Sequence, residues 1–158
     1  MIAPFMAKNV YSFGIIPIYR NKSGKLLFLL VRHLEGHTFR TGANGGHWAF
    51  PKGHPKDGED SLSAAMREFK EETGIEEVEV IKDKKFEEHY SFSAHGTPVN
   101  KTVTYYLGIV GDSTVTIQEE ELQDYAWVTY QDGLSLMTFE EGRDVLRQAH
   151  DYLVKYRV

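Results

Sequence analysis

The sequence predicts an α/β protein in which a mixed sheet is covered by helices. Two observations support this prediction. β-rich segments stand on both sides of one clearly helical segment, and a second helical segment follows near the end of the chain. The chain has 158 residues, without an internal repeat or a recognisable linker. We therefore expect a single domain over residues 1–158.

The first predicted elements are two strands joined by a tight turn. Residues 10–19 and 26–32 are β-rich, and the polar break at residues 21–24 has strong turn chemistry. A glycine-rich turn at residues 42–46 and a short strand at residues 47–50 are expected next. Two prolines and two glycines then predict a loop over residues 51–60.

The first predicted helix spans residues 61–73. Asp60 or Ser61 can cap its N-terminus, and Gly74 stands where helices commonly end. Apolar and small side chains recur on one face at helical spacing, namely Leu62, Ala65, Met66, Phe69 and Thr73. We expect this face to pack on the sheet and the opposite sector to stay polar.

Four further strands and a second helix are expected in the remaining chain. The strand candidates are residues 78–81, 86–92, 103–110 and 125–128. The second helix is predicted to begin near Thr138, because Thr138 and Glu141 have the spacing of a capping box. Its predicted apolar face consists of Val145, Ala149, Tyr152, Leu153 and Tyr156.

Composition narrows the classes of function. No apolar run approaches the roughly 20 residues that cross a bilayer, so no membrane partner is expected. The chain has no cysteine, which excludes disulfides and thiolate zinc sites and is consistent with the cytoplasmic location that we expect. A net charge of −5 argues against nucleic acid as a general partner. We expect a monomer.

The polar sector of the first helix contains three glutamates at close spacing. Glu68, Glu71 and Glu72 stand at i, i+3 and i+4, where like charges repel one another. A divalent cation would reverse that penalty, and all-oxygen ligands suit magnesium or manganese better than zinc. Glu59 in the preceding loop is a candidate fourth ligand. The alternative is a solvated acidic face without a metal.

The spacing of the whole segment favours the metal site. Five residues separate Gly53 from Glu59, and seven separate Glu59 from the Arg67-Glu68 pair. The pattern then continues through Phe69, Lys70, Glu71, Glu72, Thr73, Gly74 and Ile75. This segment resembles the Nudix box at each fixed position, so the chain is identified as a member of the Nudix hydrolases.

The resemblance implies a fold and a chemistry. The expected fold is the Nudix α/β/α sandwich, a mixed sheet with the box helix on one side and the C-terminal helix on the other. The implied metal ligands are Glu59, Glu68, Glu71 and Glu72, which would hold Mg²⁺ or, as a substitute, Mn²⁺. Arg67 would orient the carboxylates, and Gly53 would permit a strained loop turn through its freedom at positive φ. The implied reaction is the attack of an activated water on phosphorus.

A general base is also needed, and the box or a later loop can supply it. Glu121 is the downstream candidate, because the acidic run at residues 119–121 directly precedes the last predicted strand. The alternative for Glu121 is a solvated acidic turn. His33 and the other histidines outside residues 47–54 are expected to be surface or hydrogen-bonded residues rather than metal ligands.

The segments outside the box resemble one Nudix subfamily, the asymmetric diadenosine tetraphosphate hydrolases. Residues 47–54, HWAFPKGH, are similar to its W-x-x-P-K-G-H segment. Residues 101–105 are similar to its lysine-threonine-valine strand, and residues 121–127 to its closing loop and strand. We expect four side chains to contact phosphate, namely His47, Lys52, His54 and Lys101. Tyr90 and Phe139 are candidates for stacking on the base. The alternative for these two aromatics is packing in the strand and at the last helix.

The expected activity is metal-dependent hydrolysis of a dinucleoside polyphosphate, with diadenosine tetraphosphate giving ATP and AMP. One alternative is another Nudix pyrophosphohydrolase, acting on RNA 5′ ends, diphosphoinositol phosphates or nucleoside triphosphates. A second alternative is a Nudix module that binds a nucleotide without cleaving it, which should lack part of the metal set.

Overall fold

The computed structural model describes residues 6–34 and 46–158. Within these residues the chain forms seven strands and three helices. The strands are β1 Lys8–Arg20, β2 Leu26–His33, β3 His47–Ala49, β4 Lys52–Gly53, β5 Val78–Ala94, β6 Thr97–Val110 and β7 Leu122–Val128. The helices are α1 Ser61–Thr73, α2 Tyr130–Leu136 and α3 Glu140–Lys155.

The seven strands form one mixed sheet whose centre is β1. β1 is parallel to β6 and antiparallel to β2, and the outer hairpin β5–β6 is antiparallel. β1 and β2 pair only near their turn, where Ile18 lies opposite Phe28. Farther from this turn, β2 pairs with β3, and β1 pairs with β4. In the β1–β4 pair, Lys52 lies opposite Gly14. Residues 47–53 therefore fill the gap between the two central strands.

Helices cover both faces of the sheet. Neighbouring residues of a strand point to opposite faces, so Ile16 packs on the face covered by α2 and α3, whereas Ile15 packs on the face covered by α1. The α3 face buries Val145, Leu146, Ala149 and Leu153, and the α1 face buries Ala65 and Phe69. The predicted α/β/α sandwich, with the two helices on opposite sides, is confirmed.

The helix α1 begins and ends where the sequence predicted. The Asp60 side chain accepts a hydrogen bond from the Ser63 backbone N–H at 2.8 Å, which caps the N-terminus. Gly74 adopts the left-handed conformation with φ 72°, and its N–H donates to the Lys70 carbonyl. Both ends of the helix that supplies the box glutamates are thus held by local contacts.

The predicted capping box at Thr138 is wrong. The helix α3 begins at Glu140, and its N-cap residue Phe139 makes no side-chain cap hydrogen bond. The Thr138 hydroxyl instead accepts a hydrogen bond from the Trp48 backbone N–H at 2.8 Å. A long-range contact with β3 therefore uses the group that a local cap would have required.

Two further differences from the sequence prediction concern strand β5 and helix α2. The segments 78–81 and 86–92 belong to one strand, because a register shift between Ile81 and Lys85 accommodates the polar residues there. The helix α2 was not predicted. Of the predicted turn at 42–46, residues 42–45 lie outside the described residues.

None of the described helices combines the length and apolar character needed to cross a bilayer.

Candidate active site

Gly53 allows a helix carboxylate to approach the centre of the sheet. It lies in β4 opposite Phe13, and a Cβ built on it would lie 2.1 Å from the Glu68 Cδ. The predicted reason for this glycine was wrong, since Gly53 is not among the residues with positive φ. Gly53 is needed because Glu68 occupies the space that a side chain would fill, and not because the backbone is strained.

Three glutamates converge beside this glycine. Glu68, Glu72 and Glu121 each offer a carboxylate oxygen, and these oxygens lie within 4.8 Å of one another. Glu121 directly precedes β7, and its carbonyl accepts a hydrogen bond from the Leu34 N–H at 3.0 Å. The pairing of β7 with β2 therefore brings Glu121 to the glutamates of α1.

The donor set of this acidic cluster (Glu68, Glu72 and Glu121) fits a divalent cation. Glu72 is 1% exposed, and its Oε2 has no hydrogen-bond partner within the described part of the chain. Burial raises the pKa of Glu72 well above its ordinary value and also raises the pKa of Glu68. Neighbouring buried carboxylates are costly unless a cation compensates them, and hard oxygen ligands suit Mg²⁺ or Mn²⁺.

Arg67 forms hydrogen bonds with three glutamates of the box segment. It donates to Glu59 through two nitrogens, at 2.8 and 2.9 Å, and to Glu68 at 3.0 Å and Glu71 at 3.1 Å. Its last contact is the His54 carbonyl at 2.9 Å. Hydrogen bonds from this guanidinium lower the pKa of Glu59 to about 2. Glu59 and Glu71 lie outside the group of three converging oxygens, and their assignment as metal ligands stays a prediction.

A large cavity lies on the α3 face of the sheet, next to the acidic cluster. It has a volume of about 460 Å³, within the usual range for small-molecule sites. All the substrate contacts suggested by the sequence line it, namely His47, Lys52, His54, Tyr90, Lys101 and Phe139. The structure therefore brings together six residues that are up to 92 positions apart in the chain.

A second cavity of about 230 Å³ contains the acidic cluster and adjoins the large one. The two cavities share His47, Lys52, His54 and Lys101. Burial and the charge of Lys52 lower the pKa of Lys101 to about 8. Burial and the charge of Lys101 likewise lower the pKa of His54. These mutual effects show that positive charge is concentrated between the two cavities, although the chain as a whole is acidic.

Two residues of the site were missed by the sequence interpretation. His33 lines the smaller cavity, and its ring stacks on that of His47 with centroids 4.6 Å apart. Burial lowers the pKa of His33 well below its ordinary value, so the imidazole is neutral. Glu88 is 7% exposed and lines the larger cavity. Its alternation with Phe86 and Tyr90 on one strand was a usable signal, whereas nothing in the local sequence marked His33.

The chain is similar to several known proteins. The NUDIX domain family model matches residues 8–149. The asymmetrical bis(5′-nucleosyl)-tetraphosphatase of Rattus norvegicus is 39% identical over 108 residues, 68% of this chain and 72% of the relative. The enzyme of the same name from Caenorhabditis elegans is 30% identical over 140 residues, 88% of this chain and 94% of the relative. A solved structure of a C. elegans Ap4A hydrolase binary complex superposes with a TM-score of 0.77 at 28% identity, covering 92% of this chain and 98% of that one.

Proposed function

This chain belongs to the Nudix hydrolase family, and we propose that it hydrolyses dinucleoside tetraphosphates asymmetrically, giving ATP and AMP from diadenosine tetraphosphate. The observation that supports the proposal is the joining of the two cavities through Lys52 and Lys101. One cavity offers carboxylates for a metal, and the other offers aromatic side chains for a base. The family match over residues 8–149 also supports one domain across the chain.

The acidic cluster is proposed to be the reactive end of the site. A magnesium ion, or manganese in its place, held by Glu68 and Glu72 would supply Lewis-acid stabilisation of the phosphoryl oxygens and lower the pKa of the attacking water. Glu121 is exposed, and we propose that its carboxylate accepts the proton of that water. Arg67 fixes the Glu68 carboxylate through the hydrogen bond at 3.0 Å, so Glu59 and Glu71 act by holding Arg67.

The cations between the cavities are proposed to hold the phosphate chain. Lys52 and Lys101 meet phosphate oxygens as point charges, and His54 can donate from its ring. Phe139 lies against His47 with ring centroids 5.6 Å apart, and Tyr90 lines the same cavity. A base bound between these aromatics would stack on them without needing a particular hydrogen-bond pattern.

Product analysis tests the proposal. The purified protein is incubated with diadenosine tetraphosphate, with and without Mg²⁺. Equal amounts of ATP and AMP that form only with Mg²⁺ are the expected result. Two ADP molecules would contradict the asymmetric cut. An absence of products, with hydrolysis of RNA 5′ ends, diphosphoinositol phosphates or nucleoside triphosphates instead, would favour another Nudix pyrophosphohydrolase.

The Lys101→Arg variant is expected to change the pH dependence of the reaction. Because the pKa of Lys101 is about 8, its positive charge is present below that pH and is lost as the pH rises through it. The pH dependence of kcat/KM reports the groups that titrate in the free enzyme. The kcat/KM of the wild type should therefore fall above pH 8. Arginine stays charged, and the variant should lose less activity between pH 8 and 9.5.

The control for this experiment is Lys82→Arg, which makes the same substitution at an exposed position of β5 outside both cavities. Lys82→Arg should keep the wild-type profile. If Lys101→Arg shows the same decline with pH as the wild type, another group causes the decline and Lys101 does not titrate in this range.

A further inference from the structure

His33 lies at the acidic end of the site, on the same face of the sheet as the box helix. It is the last residue of β2, where it pairs with His47 of β3. Leu29 packs on the α1 face, and His33 follows it by four residues in the same strand, so both side chains point to that face. His33 is 8% exposed and lines the smaller cavity together with the acidic cluster. It therefore lies on the side of the sheet from which Glu68 and Glu72 approach.

The hydrogen bonds of the His33 ring show which of its nitrogens is an acceptor. The ring donates to the Phe50 carbonyl, a contact that raises the pKa of His33. Its Nε2 has no hydrogen-bond partner within the described residues, so the donor is Nδ1–H. Burial and the charge of Lys52 outweigh this contact, lower the pKa and keep the imidazole neutral. A neutral imidazole carries one proton, so Nε2 has a lone pair that can only accept a hydrogen bond.

This buried lone pair requires a partner that donates a hydrogen bond. Buried polar atoms in native structures are almost always paired, either with protein groups or with ordered water. Phosphate oxygens are acceptors, and carboxylates that bind a cation are ionised acceptors too. Lys52 makes no hydrogen bond with Nε2, and it is assigned to the phosphate chain. Water is the remaining donor, and a cavity of about 230 Å³ has room for it.

The positions of the possible ligand atoms indicate that this water belongs to the hydration shell of the cation. In the described part of the chain, Glu68, Glu72 and Glu121 offer oxygens within 4.8 Å of one another, and His33 lies outside this group. Ligands at about 2.1 Å from Mg²⁺ in octahedral geometry are no more than about 4.2 Å apart. A water ligand extends this reach by about 2.8 Å. Mg²⁺ usually keeps several of its waters, so a bridge through water fits the arrangement better than direct coordination.

We propose that His33 binds the hydration shell of the cation, with Nε2 accepting a hydrogen bond from one of its water molecules. The Phe50 carbonyl fixes the tautomer, and stacking on His47, with the ring planes 12° apart, fixes the orientation of the ring. His33 is thus a positioning residue that connects the cation to β2, whereas Glu68 and Glu72 connect it to α1. The inference rests on one part of the proposed function, a divalent cation at the acidic cluster.

Mn²⁺ binding without nucleotide tests this role. The dissociation constant is measured from the electron paramagnetic resonance signal of free Mn²⁺, in the wild type, His33→Asn and His33→Gln. Asparagine can place its amide N–H near the position of Nδ1 and keep the contact with the Phe50 carbonyl, but it has no acceptor at the position of Nε2. We expect His33→Asn to bind Mn²⁺ about 10- to 100-fold more weakly, the range for groups that support a metal site from outside its ligands.

His33→Gln separates this role from a purely structural one. Its longer side chain can place an amide oxygen at the position of Nε2, but it gives up the contact with the Phe50 carbonyl. His33→Gln should therefore bind Mn²⁺ more tightly than His33→Asn. A residue that acted only through the Phe50 contact would give the opposite order. Thermal unfolding in EDTA checks that each variant is folded.

His150→Asn is the matched control. His150 also stacks on an aromatic ring, that of Tyr130, with centroids 3.8 Å apart. It belongs to α3 and lines neither of the two cavities of the site. Its substitution should leave the dissociation constant of Mn²⁺ at the wild-type value.

An unchanged Mn²⁺ affinity in His33→Asn would overturn the inference. A spin-echo spectrum that shows a histidine nitrogen bound directly to Mn²⁺, or an absence of Mn²⁺ binding by the wild type, would overturn it too. The proposed function is decided separately, by the products formed from diadenosine tetraphosphate. If ATP and AMP form but the affinity does not respond to His33→Asn, only the inference fails. If nothing is cleaved but the affinity falls as expected, the proposed function fails and the role of His33 stands.

Discussion

Replacing Glu72 with Gln should lower kcat by about 10³-fold or more and leave the protein folded. Glu72 is buried within the acidic cluster, and Gln has the same shape without the charge that a cation needs. The variant should also lose the rise in unfolding temperature that Mg²⁺ gives the wild type, because an ion that binds the native state stabilises it. The measurements are kcat at saturating substrate and thermal unfolding with Mg²⁺ or with EDTA.

The direction of the stability change without metal follows from the raised pKa of Glu72. A group whose pKa is higher in the folded protein favours folding at low pH, and that contribution is lost as the pH rises through the folded pKa. In EDTA at neutral pH, Glu72→Gln should therefore unfold at a temperature equal to or higher than that of the wild type. The difference should shrink as the pH falls below the raised pKa.

Glu71→Gln is the control for this prediction. Glu71 belongs to the same helix, but its side chain is 42% exposed and contacts Arg67 at 3.1 Å. We expect its kcat to fall by about 10- to 100-fold, the range for a contact that acts through another residue. Unchanged turnover in Glu72→Gln would refute the metal role of Glu72. Equal losses in both variants would show that Glu71 is a ligand too, as the sequence predicted.

Replacing Gly53 with Ala should impair activity about 10²-fold or more, although the change adds only a methyl group. The new Cβ would lie 2.1 Å from the Glu68 Cδ and 2.2 Å from its Oε2, a separation that real atoms do not adopt. The Glu68 carboxylate must therefore move away from Glu72 and Glu121. Overpacking of this kind also costs about 1–3 kcal/mol of folding free energy. The measurements are kcat and the midpoint of urea unfolding.

Gly111→Ala separates the steric effect from the general effect of removing a glycine. Gly111 has nothing within 4 Å of a built Cβ and is not among the residues with positive φ. Its activity should match the wild type, and its stability should change by no more than about 0.5 kcal/mol. Activity of Gly53→Ala close to that of the wild type would show that Glu68 can be displaced without consequence.

The family and the layout of the fold were within reach of the sequence. The box glutamates are close in the chain, and the helical repeat alone places Glu68 and Glu72 one turn apart. The cap at Asp60 and the left-handed residue at Gly74 are local signals as well, which explains why α1 was predicted residue by residue. Alternating hydrophobicity likewise located the strands, but it did not show that one strand continues through the polar residues 82–85.

The composition of the acidic cluster was decided by tertiary structure. The sequence indicated Glu59 and Glu71 as partners of Glu68 and Glu72, whereas the structure places Glu121 with Glu68 and Glu72 and turns Glu59 toward Arg67. The reason is that β7 pairs with β2, and the choice of strand partners depends on packing over the whole sheet.

By itself, therefore, the sequence determined the contacts that depend on short spacings. It determined the box helix, its caps, the proximity of the α1 glutamates and membership of a family that is recognised by such a spacing. Only the tertiary structure decided which distant residues meet, including the approach of Glu68 to Gly53 and the position of Glu88 in the cavity. Local geometry follows from the backbone repeat, whereas contacts between distant segments form only when the complete sheet brings its strands together.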